Sequence, residues 1–164
     1  MSQLWVPAYV AIGSNLDGPV SQVQSAMRQL ASFNRSRLIS QSRLYRSLPL
    51  GPQDQPEFVN AAVAMLTQLA PRELLNELKQ LELSMGRAAT TVRWGPRRID
   101  LDLLVYAGLR IDEPDFTLPH PGVPDRNFVL YPLLDIAPTL TVPGHGSVAM
   151  LAARVGAAGL VPIT

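Results

Sequence analysis

Two aspartates separated by one residue, Asp100 and Asp102, follow an arginine-rich turn in the stretch RWGPRRIDLDLLVY at positions 93–106. Residues 99–106 are mostly branched or aromatic, which predicts a β-strand. Because alternate side chains of a strand point to opposite faces, the two carboxylates share one face. Two like charges at this spacing repel each other unless a positive group lies between them. The pattern therefore predicts a positive partner at this face.

Carboxylates beside a group of arginines suit the chemistry of phosphate esters. An Asp-x-Asp pair on a strand is, by itself, most often part of an exposed strand face. Mg²⁺, however, is usually held by one or two carboxylates together with substrate phosphates, and guanidinium groups bind phosphate in a bidentate manner. The combination favours metal-assisted phosphoryl transfer, in which both kinds of group neutralise charge. The arginines near the strand are Arg87, Arg93, Arg97 and Arg98.

A nucleotide would have to be bound without the common phosphate-binding motifs. The sequence has no G-x-x-x-x-G-K-[ST] motif, and its one lysine, Lys79, does not follow a glycine. Protein-kinase signatures and the G-x-G-x-x-G motif are absent as well. We therefore expect metal and arginine to provide the phosphate interactions.

A second candidate pocket lies on the strand predicted at residues 58–68, FVNAAVAMLTQ. Phe58 and Asn60 occupy alternate positions, so they share a face and offer a stacking surface and an amide that donates and accepts hydrogen bonds. Each alone is typical of the interior, as a core aromatic or a satisfied polar residue. The strand follows a proline-rich connection of twelve residues, 46–57, and connections this long are often functional. Together these features suit a flat heterocycle.

One carboxylate occupies the apolar side of a predicted helix. Pro71 opens this helix, which spans residues 71–86. Glu82 lies on the apolar side, close to the negative end of the helix dipole, where a carboxylate is costly. It is either a buried or rim glutamate paired with an arginine, or part of the edge of a site shared with the two aspartates. The predicted buried stripe is Leu74, Leu78, Leu81 and Met85.

The elements that must position these residues follow from hydrophobic periodicity and from turn residues. The sequence predicts strands at 5–12, 37–45, 58–68 and 99–106, with helices beginning near Pro19 and at Pro71. Asp17 is the predicted cap of the first helix. The order β-α-β-β-α-β predicts an α+β, ferredoxin-like core, which is an antiparallel sheet with helices on one face. A C-terminal extension follows, with helices near 126–134 and 148–156.

Composition limits the class of protein. The 164 residues, 47% hydrophobic and 16% charged, fit a single domain over residues 1–164. A formal net charge of +1 argues against a general nucleic-acid or anionic-membrane surface. The absence of cysteine excludes disulfides, thiolate zinc sites and a cysteine nucleophile. No signal peptide or membrane anchor is predicted, so we expect a cytoplasmic protein, and we expect it to be a monomer.

Five motifs, taken together, resemble one enzyme family. AIGSN, PLGPQDQPEFVNAAV, E-x-x-x-GR, RWGPRRIDLDLL and LPHP followed by DRNFVLYPL are similar to the motif series of the 6-hydroxymethyl-7,8-dihydropterin pyrophosphokinases of folate biosynthesis. The resemblance implies ATP-dependent transfer of a pyrophosphoryl group to the hydroxymethyl oxygen of 6-hydroxymethyl-7,8-dihydropterin, with release of AMP and with two Mg²⁺ ions.

Two other classes are the alternatives to this function. A non-catalytic ferredoxin-like nucleic-acid-binding domain would use aromatic residues and a basic face on its central strands, whereas this chain places acidic residues there. A metal-dependent phosphohydrolase would use the carboxylates but has no use for an amide-plus-aromatic pocket. Both features favour the transferase.

The resemblance also implies roles for particular residues. Asp100 and Asp102 resemble the aspartates that hold both Mg²⁺ ions, and Arg87 and Arg97 are implied to be catalytic with them. The residues implied for the pterin are Leu50, Phe58, Asn60, Trp94 and Phe128, of which Trp94 resembles a residue of a mobile loop. Those implied for ATP are Glu82, Arg87, Arg97, His120 and Arg126.

Two positions depart from the family pattern. Ala89 stands where family members carry a second loop arginine, and Pro121 stands where a tyrosine follows the histidine. The phosphate contacts of that arginine and that tyrosine are therefore not carried over to this chain.

Overall fold

The computed structural model describes residues 4–48, 56–86 and 98–163. A 3₁₀ helix, Val123–Asp125, lies in the C-terminal extension. The strands are β1 (Val6–Ser14), β2 (Ser36–Gln41), β3 (Leu44–Ser47), β4 (Phe58–Thr67), β5 (Asp100–Tyr106), β6 (Ile111–Glu113), β7 (Phe116–Leu118), β8 (Thr141–Val142), β9 (Gly146–Ser147) and β10 (Leu160–Ile163). The helices are α1 (Pro19–Leu30), α2 (Pro71–Ser84), α3 (Asn127–Ile136) and α4 (Val148–Val155).

The main sheet is antiparallel and has the strand order β10-β3-β4-β1-β5, with β2 also pairing with β4. β2 and β3 follow one another along β4, since β2 pairs with residues 63–67 and β3 with residues 58–60. The single strand predicted at 37–45 is therefore two strands. The interruption falls at Ser42, whose Oγ accepts a hydrogen bond from the Ala62 N–H at 2.8 Å.

The two faces of the sheet carry separate hydrophobic clusters. Leu30 of α1 and Leu78 of α2 pack with Ile12 on one face. On the other face, Leu130 of α3 packs with Ala62, and the apolar side of α4 belongs to the same cluster. The predicted α+β core, with an antiparallel sheet and two helices on one face, is confirmed. The C-terminal extension covers the opposite face and makes the fold three-layered.

Helix α1 begins differently from the prediction. Its N-cap is Gly18, at φ 72° and ψ 70°, and no side chain caps the helix. Pro19 is in the first turn, as expected. The capping role predicted for Asp17 is wrong, because its carboxylate accepts hydrogen bonds from Arg98, with Oδ2 lying 2.9 Å from Nε and 2.7 Å from Nη2.

Helix α2 buries the predicted stripe at Leu74, Leu78 and Leu81. Met85 lies just beyond the last helical residue and is partly buried against the same cluster. Gly86 then adopts φ 95°, a left-handed conformation that favours glycine and ends the helix. Over the described ranges, every helix is too short or too polar to span a bilayer.

The C-terminal extension also completes one edge of the sheet. β10 pairs with β3 from Leu160 opposite Ser47 to Ile163 opposite Leu44. Asn127, the first residue of α3, donates from Nδ2 to two carbonyl oxygens just before β10, those of Gly156 at 3.1 Å and Ala158 at 2.9 Å. This contact ties the start of α3 to the segment that leads into β10.

Candidate active site

The predicted heterocycle pocket and the predicted metal ligands lie at the same end of the sheet. Asn60 of β4 is the register partner of Gly13 of β1, and Gly13 is in turn the partner of Asp100 of β5. Neighbouring strands are about 4.8 Å apart, so two strand spacings place the backbones of Asn60 and Asp100 roughly 10 Å from each other. Residues in such a row point to the same face. Gly13, which has no side chain, therefore lies between the amide of Asn60 and the carboxylate of Asp100.

Asn60 is buried and oriented by its neighbours. It is 7% exposed, and its Nδ2 donates a hydrogen bond to Ser47 Oγ at 2.6 Å. A Cβ atom at Gly13 would lie 3.0 Å from Asn60 Oδ1 and 3.9 Å from Phe58 Cδ1. Glycine at this position therefore leaves room for the amide. Phe58 is half-buried beside it.

Ser47 is a residue of this pocket that the sequence did not predict. It was assigned to the long connection at residues 46–57, whereas it is the last residue of β3 and the partner of Phe58 in the register. It is 5% exposed. A serine in a proline-rich stretch carries no signal of its own, because its role depends on a hydrogen bond to a residue thirteen positions away.

Asp100 and Asp102 are both half-buried on β5, and the leucines that follow each of them, Leu101 and Leu103, are buried on the other face. The side chain of Asp102 is 35% exposed. Over the described residues, no group of three or more His, Cys, Asp or Glu side chains could hold a metal ion. Two carboxylates at an open strand end, with no third ligand from residues 4–48, 56–86 and 98–163, fit the donor set of Mg²⁺, which takes its remaining oxygens from phosphates and water.

Glu82 lies beside the strand that carries the aspartates. It is 6% exposed, and its Oε2 accepts a hydrogen bond of 2.7 Å from the backbone N–H of Leu101. The structure thus places the Glu82 carboxylate against the backbone of the strand that carries the Asp-x-Asp pair, on the side of α2, and both interpretations of this residue stay predictions. The sequence did not indicate that a backbone N–H would be a partner. The contact of Glu82 with ATP that the resemblance implies stays a prediction.

His120 faces the aspartates across the edge of the sheet. Its Nε2 lies 3.8 Å from Asp102 Oδ1, and its Nδ1 accepts a hydrogen bond of 3.0 Å from the Gly122 N–H. Burial, reinforced by the positive charge of Arg126 and opposed by Asp100, lowers the pKa of His120 below its ordinary value. An imidazole that accepts at Nδ1 and stays neutral carries its proton on Nε2. His120 therefore presents an N–H donor to the aspartate side.

Arg126 and Phe128 lie at the start of α3 and close to His120. The guanidinium carbon of Arg126 is 6.0 Å from the centroid of the Phe128 ring, within the range of a cation–π contact. A Cβ atom at Gly122 would lie 2.6 Å from Cζ and Nε of Arg126. The guanidinium group thus occupies the space that any larger residue at position 122 would fill. Gly122 was not predicted, since no local pattern marks it.

The remaining predicted site residues divide into two groups. Arg98, one of the arginines expected to contact phosphate, is paired with Asp17 and lies against Gly86, where a Cβ would come 2.6 Å from Nη1, and its contact with phosphate stays a prediction. The other group lies outside the described residues and consists of Leu50, Arg87, Arg93, Trp94 and Arg97, together with the departure at Ala89.

Comparison with known proteins identifies the family of the chain. Residues 9–138 match the family model of the 7,8-dihydro-6-hydroxymethylpterin-pyrophosphokinases. Two proteins named 2-amino-4-hydroxy-6-hydroxymethyldihydropteridine pyrophosphokinase are similar to the chain. The one from Haemophilus influenzae is 42% identical over 84% of this chain and 86% of its own length. The one from Pseudomonas aeruginosa is 47% identical over 82% and 83%.

Solved structures show the same fold. The structure of Plasmodium falciparum HPPK-DHPS with pteroate superposes with a TM-score of 0.73 at 14% identity, over 94% of this chain. This chain spans 43% of that longer protein. At that identity the likeness concerns the fold alone. The family match and the two curated relatives go further: the chain belongs to the 7,8-dihydro-6-hydroxymethylpterin-pyrophosphokinase family.

Proposed function

We propose that the chain transfers a pyrophosphoryl group from ATP to the hydroxymethyl oxygen of 6-hydroxymethyl-7,8-dihydropterin and releases AMP. The row Asn60, Gly13 and Asp100 carries the proposal. It sets an amide suited to a heterocycle and a carboxylate suited to a metal ion about 10 Å apart on one face. A pterin with its hydroxymethyl group directed towards β5 spans that distance. The names of the relatives, which specify this substrate and this activity, support the same reaction.

The pterin end of the site is formed by β4 and the start of α3. Asn60 reads the polar edge of the ring, because its amide both donates and accepts hydrogen bonds. Phe58 and Phe128 provide aromatic surface for stacking. Leu50 and Trp94 are assigned to the same pocket on the strength of the family motifs. Ser47 holds the Asn60 amide in one orientation through the 2.6 Å hydrogen bond.

The metal end of the site is formed by β5. Asp100 and Asp102 would hold Mg²⁺, and we propose two ions, in keeping with the family motifs. The metal, when bound, neutralises and orients the phosphates that take part in the transfer. The backbone of β5 keeps both carboxylates on one face and at one end of the sheet. Their side chains thereby face the hydroxymethyl end of the proposed pterin pocket.

The phosphate end is formed by the loop before α3. His120 would donate from Nε2 to a phosphate oxygen, because its Nδ1 already accepts from Gly122. Arg126 would add a guanidinium group, which pairs with phosphate in a bidentate manner. Arg87 and Arg97 are assigned to the phosphates as catalytic residues, and Glu82 to the ATP side, from the motifs. We further propose a monomer that acts in the cytoplasm.

The two alternatives are less well supported. The sheet face that a ferredoxin-like nucleic-acid-binding domain would use is covered here by α3 and α4, and its open end carries two aspartates. A phosphohydrolase would need the metal site but not a buried amide two strands away. The family assignment favours the transferase over both.

The deciding experiment separates AMP release from ATP hydrolysis. The protein is incubated with ATP and Mg²⁺, with and without 6-hydroxymethyl-7,8-dihydropterin, and nucleotides are resolved by chromatography. We expect AMP and the pterin pyrophosphate in equal amounts, and only when the pterin is present. Release of ADP, or ATP consumption that does not depend on the pterin, would contradict the proposal and support the hydrolase.

A further inference from the structure

Glu82 lies in a place where a carboxylate needs compensation. It is 6% exposed and belongs to the last turn of α2. Burial removes the carboxylate from water, and the carbonyl end of the helix dipole repels its charge. The two nearby aspartates of β5 carry the same sign of charge. A glutamate is retained in such surroundings only if a specific contact offsets these costs.

The backbone of β5 provides such a contact. Glu82 Oε2 accepts a hydrogen bond of 2.7 Å from the Leu101 N–H. Within the part of the chain that the structure describes, β5 is the edge strand of the sheet and pairs with β1 on its inner side. The Glu82 side chain therefore accepts a hydrogen bond from an N–H on the outer edge of β5, in the place that a further strand would occupy.

The position of this donor connects it to the metal site. The N–H of Leu101 belongs to the peptide group that joins Asp100 to Leu101, and Asp102 is the next residue. Because a peptide group is planar, fixing its N–H also fixes the backbone of Asp100 on one side and of Leu101 on the other. The directions of the Asp100 and Asp102 side chains then depend on a bond made from α2.

Direct metal binding by Glu82 is not supported by the geometry. No cluster of three or more acidic, histidine or cysteine side chains that could hold a metal ion occurs in residues 4–48, 56–86 and 98–163. One Glu82 oxygen is engaged by the backbone of β5. The side chain of Leu101, the residue whose N–H it binds, is buried on the face opposite the aspartates.

We infer that Glu82 is a positioning residue for the metal site, which acts through the Asp100–Leu101 peptide group and sets the spacing of Asp100 and Asp102. The inference rests on the proposed function, since it takes the two aspartates as Mg²⁺ ligands. It depends on the hydrogen-bond acceptor of Glu82 and on its reach to the Leu101 N–H. Partners that orient metal ligands in this way change metal affinity when they are lost.

Two substitutions of Glu82 separate the effect of its acceptor oxygen, the effect of its side-chain length and the effect of its negative charge. Glu82→Gln keeps an acceptor oxygen at the same distance and removes the charge, whereas Glu82→Asp keeps the charge and withdraws the acceptor by one methylene. Glu77→Gln and Glu77→Asp are matched controls, because Glu77 lies on the exposed side of the same helix. Both Glu82 variants keep a polar group at the site, so they are chosen over an apolar replacement that could prevent folding.

Three measurements are made on each full-length variant. Amide hydrogen exchange of Leu101, followed by NMR without metal, reports the hydrogen bond itself. Mn²⁺ affinity in the presence of a non-hydrolysable ATP analogue, followed by electron paramagnetic resonance, reports the metal site. AMP release at varied Mg²⁺, ATP and pterin concentrations separates metal dependence from substrate affinity.

We expect Glu82→Gln to resemble the wild type in Leu101 exchange and in Mn²⁺ affinity. Glu82→Asp should accelerate Leu101 exchange and weaken Mn²⁺ binding by about 10- to 100-fold, with the KM for the pterin unchanged. The inference is overturned if Glu82→Gln is the more damaging of the two, since charge would then matter. It is also overturned if either variant raises only the KM for ATP, which indicates direct contact, or lowers only the melting temperature. A wild type without AMP release refutes the proposed reaction, while exchange and Mn²⁺ affinity still test the positioning role.

Discussion

The guanidinium group of Arg126 lies directly over Gly122, in the space where a Cβ atom at position 122 would come within 2.6 Å of Cζ and Nε. The backbone of Gly122, at φ −79° and ψ −12°, is in a region open to any residue. The glycine is therefore not required by backbone geometry. It leaves room for the guanidinium group of Arg126, which a larger side chain at position 122 would displace.

Gly122→Ala should displace Arg126 and leave the fold intact. A methyl group at this position moves the guanidinium group away from the phosphate side. We therefore expect kcat/KM for ATP to fall about tenfold or more, because one charge-assisted hydrogen bond to phosphate is lost. Stability should be equal to or above that of the wild type, because alanine restricts the unfolded chain. Steady-state AMP release and thermal unfolding test both expectations. Gly108→Ala is the control, since a Cβ there would contact nothing within 4 Å; equal effects in the two variants would contradict the prediction.

Two substitutions of His120 each keep the hydrogen-bonding function of one ring nitrogen and remove that of the other. Glutamine places an amide donor near the position of Nε2, and asparagine places an acceptor near the position of Nδ1. If the Nε2–H serves a phosphate oxygen, His120→Gln should keep most of the rate and His120→Asn should lose about 100-fold in kcat. Stability should show the opposite order, because asparagine preserves the acceptor for the Gly122 N–H. Equal loss of rate in both variants would argue against the assigned donor.

Replacing Asp100 or Asp102 with alanine should abolish turnover. Each variant removes half of the carboxylate set that would hold Mg²⁺, while it relieves repulsion between like charges in the metal-free protein. We therefore expect no measurable AMP release and a metal-free stability within about 1 kcal/mol of the wild type. Asp112→Ala, at an exposed position of β6, is the matched control. Normal magnesium-dependent turnover in either variant would remove these residues from the metal site.

Asn60→Ala should weaken the binding of the pterin much more than that of ATP. Loss of the buried amide leaves polar groups of the ring without partners, at a cost of about 1 to 3 kcal/mol. Isothermal titration calorimetry with the pterin and with an ATP analogue measures the two losses separately. Ser47→Ala removes only the group that orients the amide and should give a smaller loss of pterin affinity. Similar losses for both ligands in Asn60→Ala would count against its assignment to the heterocycle.

Because Tyr45 is buried and hydrogen-bonded, its ionisation should make the free energy of unfolding depend on pH in the alkaline range. It is 3% exposed, lies opposite Asn60 in the sheet and donates from its hydroxyl to Asp135 Oδ2 at 2.7 Å. Burial, followed by the hydrogen bond and negative charge of Asp135, raises the pKa of Tyr45 to about 12. In the unfolded chain a tyrosine titrates near pH 10, so the stabilisation is complete below about pH 10 and is lost as the pH rises towards 12.

Tyr45→Phe cannot lose a proton, so its free energy of unfolding should not show this component. Urea denaturation between about pH 9 and 12 should therefore show the difference between wild type and Tyr45→Phe narrowing as the pH rises. A difference that stays constant would mean that Tyr45 ionises equally in the folded and unfolded chains.

Features that depend on near neighbours in sequence could be predicted. The buried stripe of α2 and the shared face of Asp100 and Asp102 follow from helix and strand periods, which are local properties. The position of Glu82 on the apolar side of α2 follows from the same period. Phe58 and Asn60 were found because they alternate on one strand. In each case the sequence alone determines which way the side chain points.

Features that depend on contacts between distant segments could not be predicted. Asp17 has the residue type and position of a cap, but Arg98, eighty-one residues later, binds its carboxylate. Ser42 and Ser47 acquire their roles from Ala62 and Asn60 on the neighbouring strand. Gly122 is explained by the side chain of Arg126. None of these partners can be identified before the strand register is known.

The pairing of β10 with β3 has a consequence for biosynthesis. Ser47 and its partner Leu160 are separated by more than 100 residues, and a ribosome adds roughly 5 to 20 residues per second. For roughly 5 to 20 s after β3 has been synthesised, its outer edge therefore stays unpaired, because β10 has not yet been made. An unpaired edge strand is a template for pairing with other chains. The short length of β3, four residues, limits that hazard during translation.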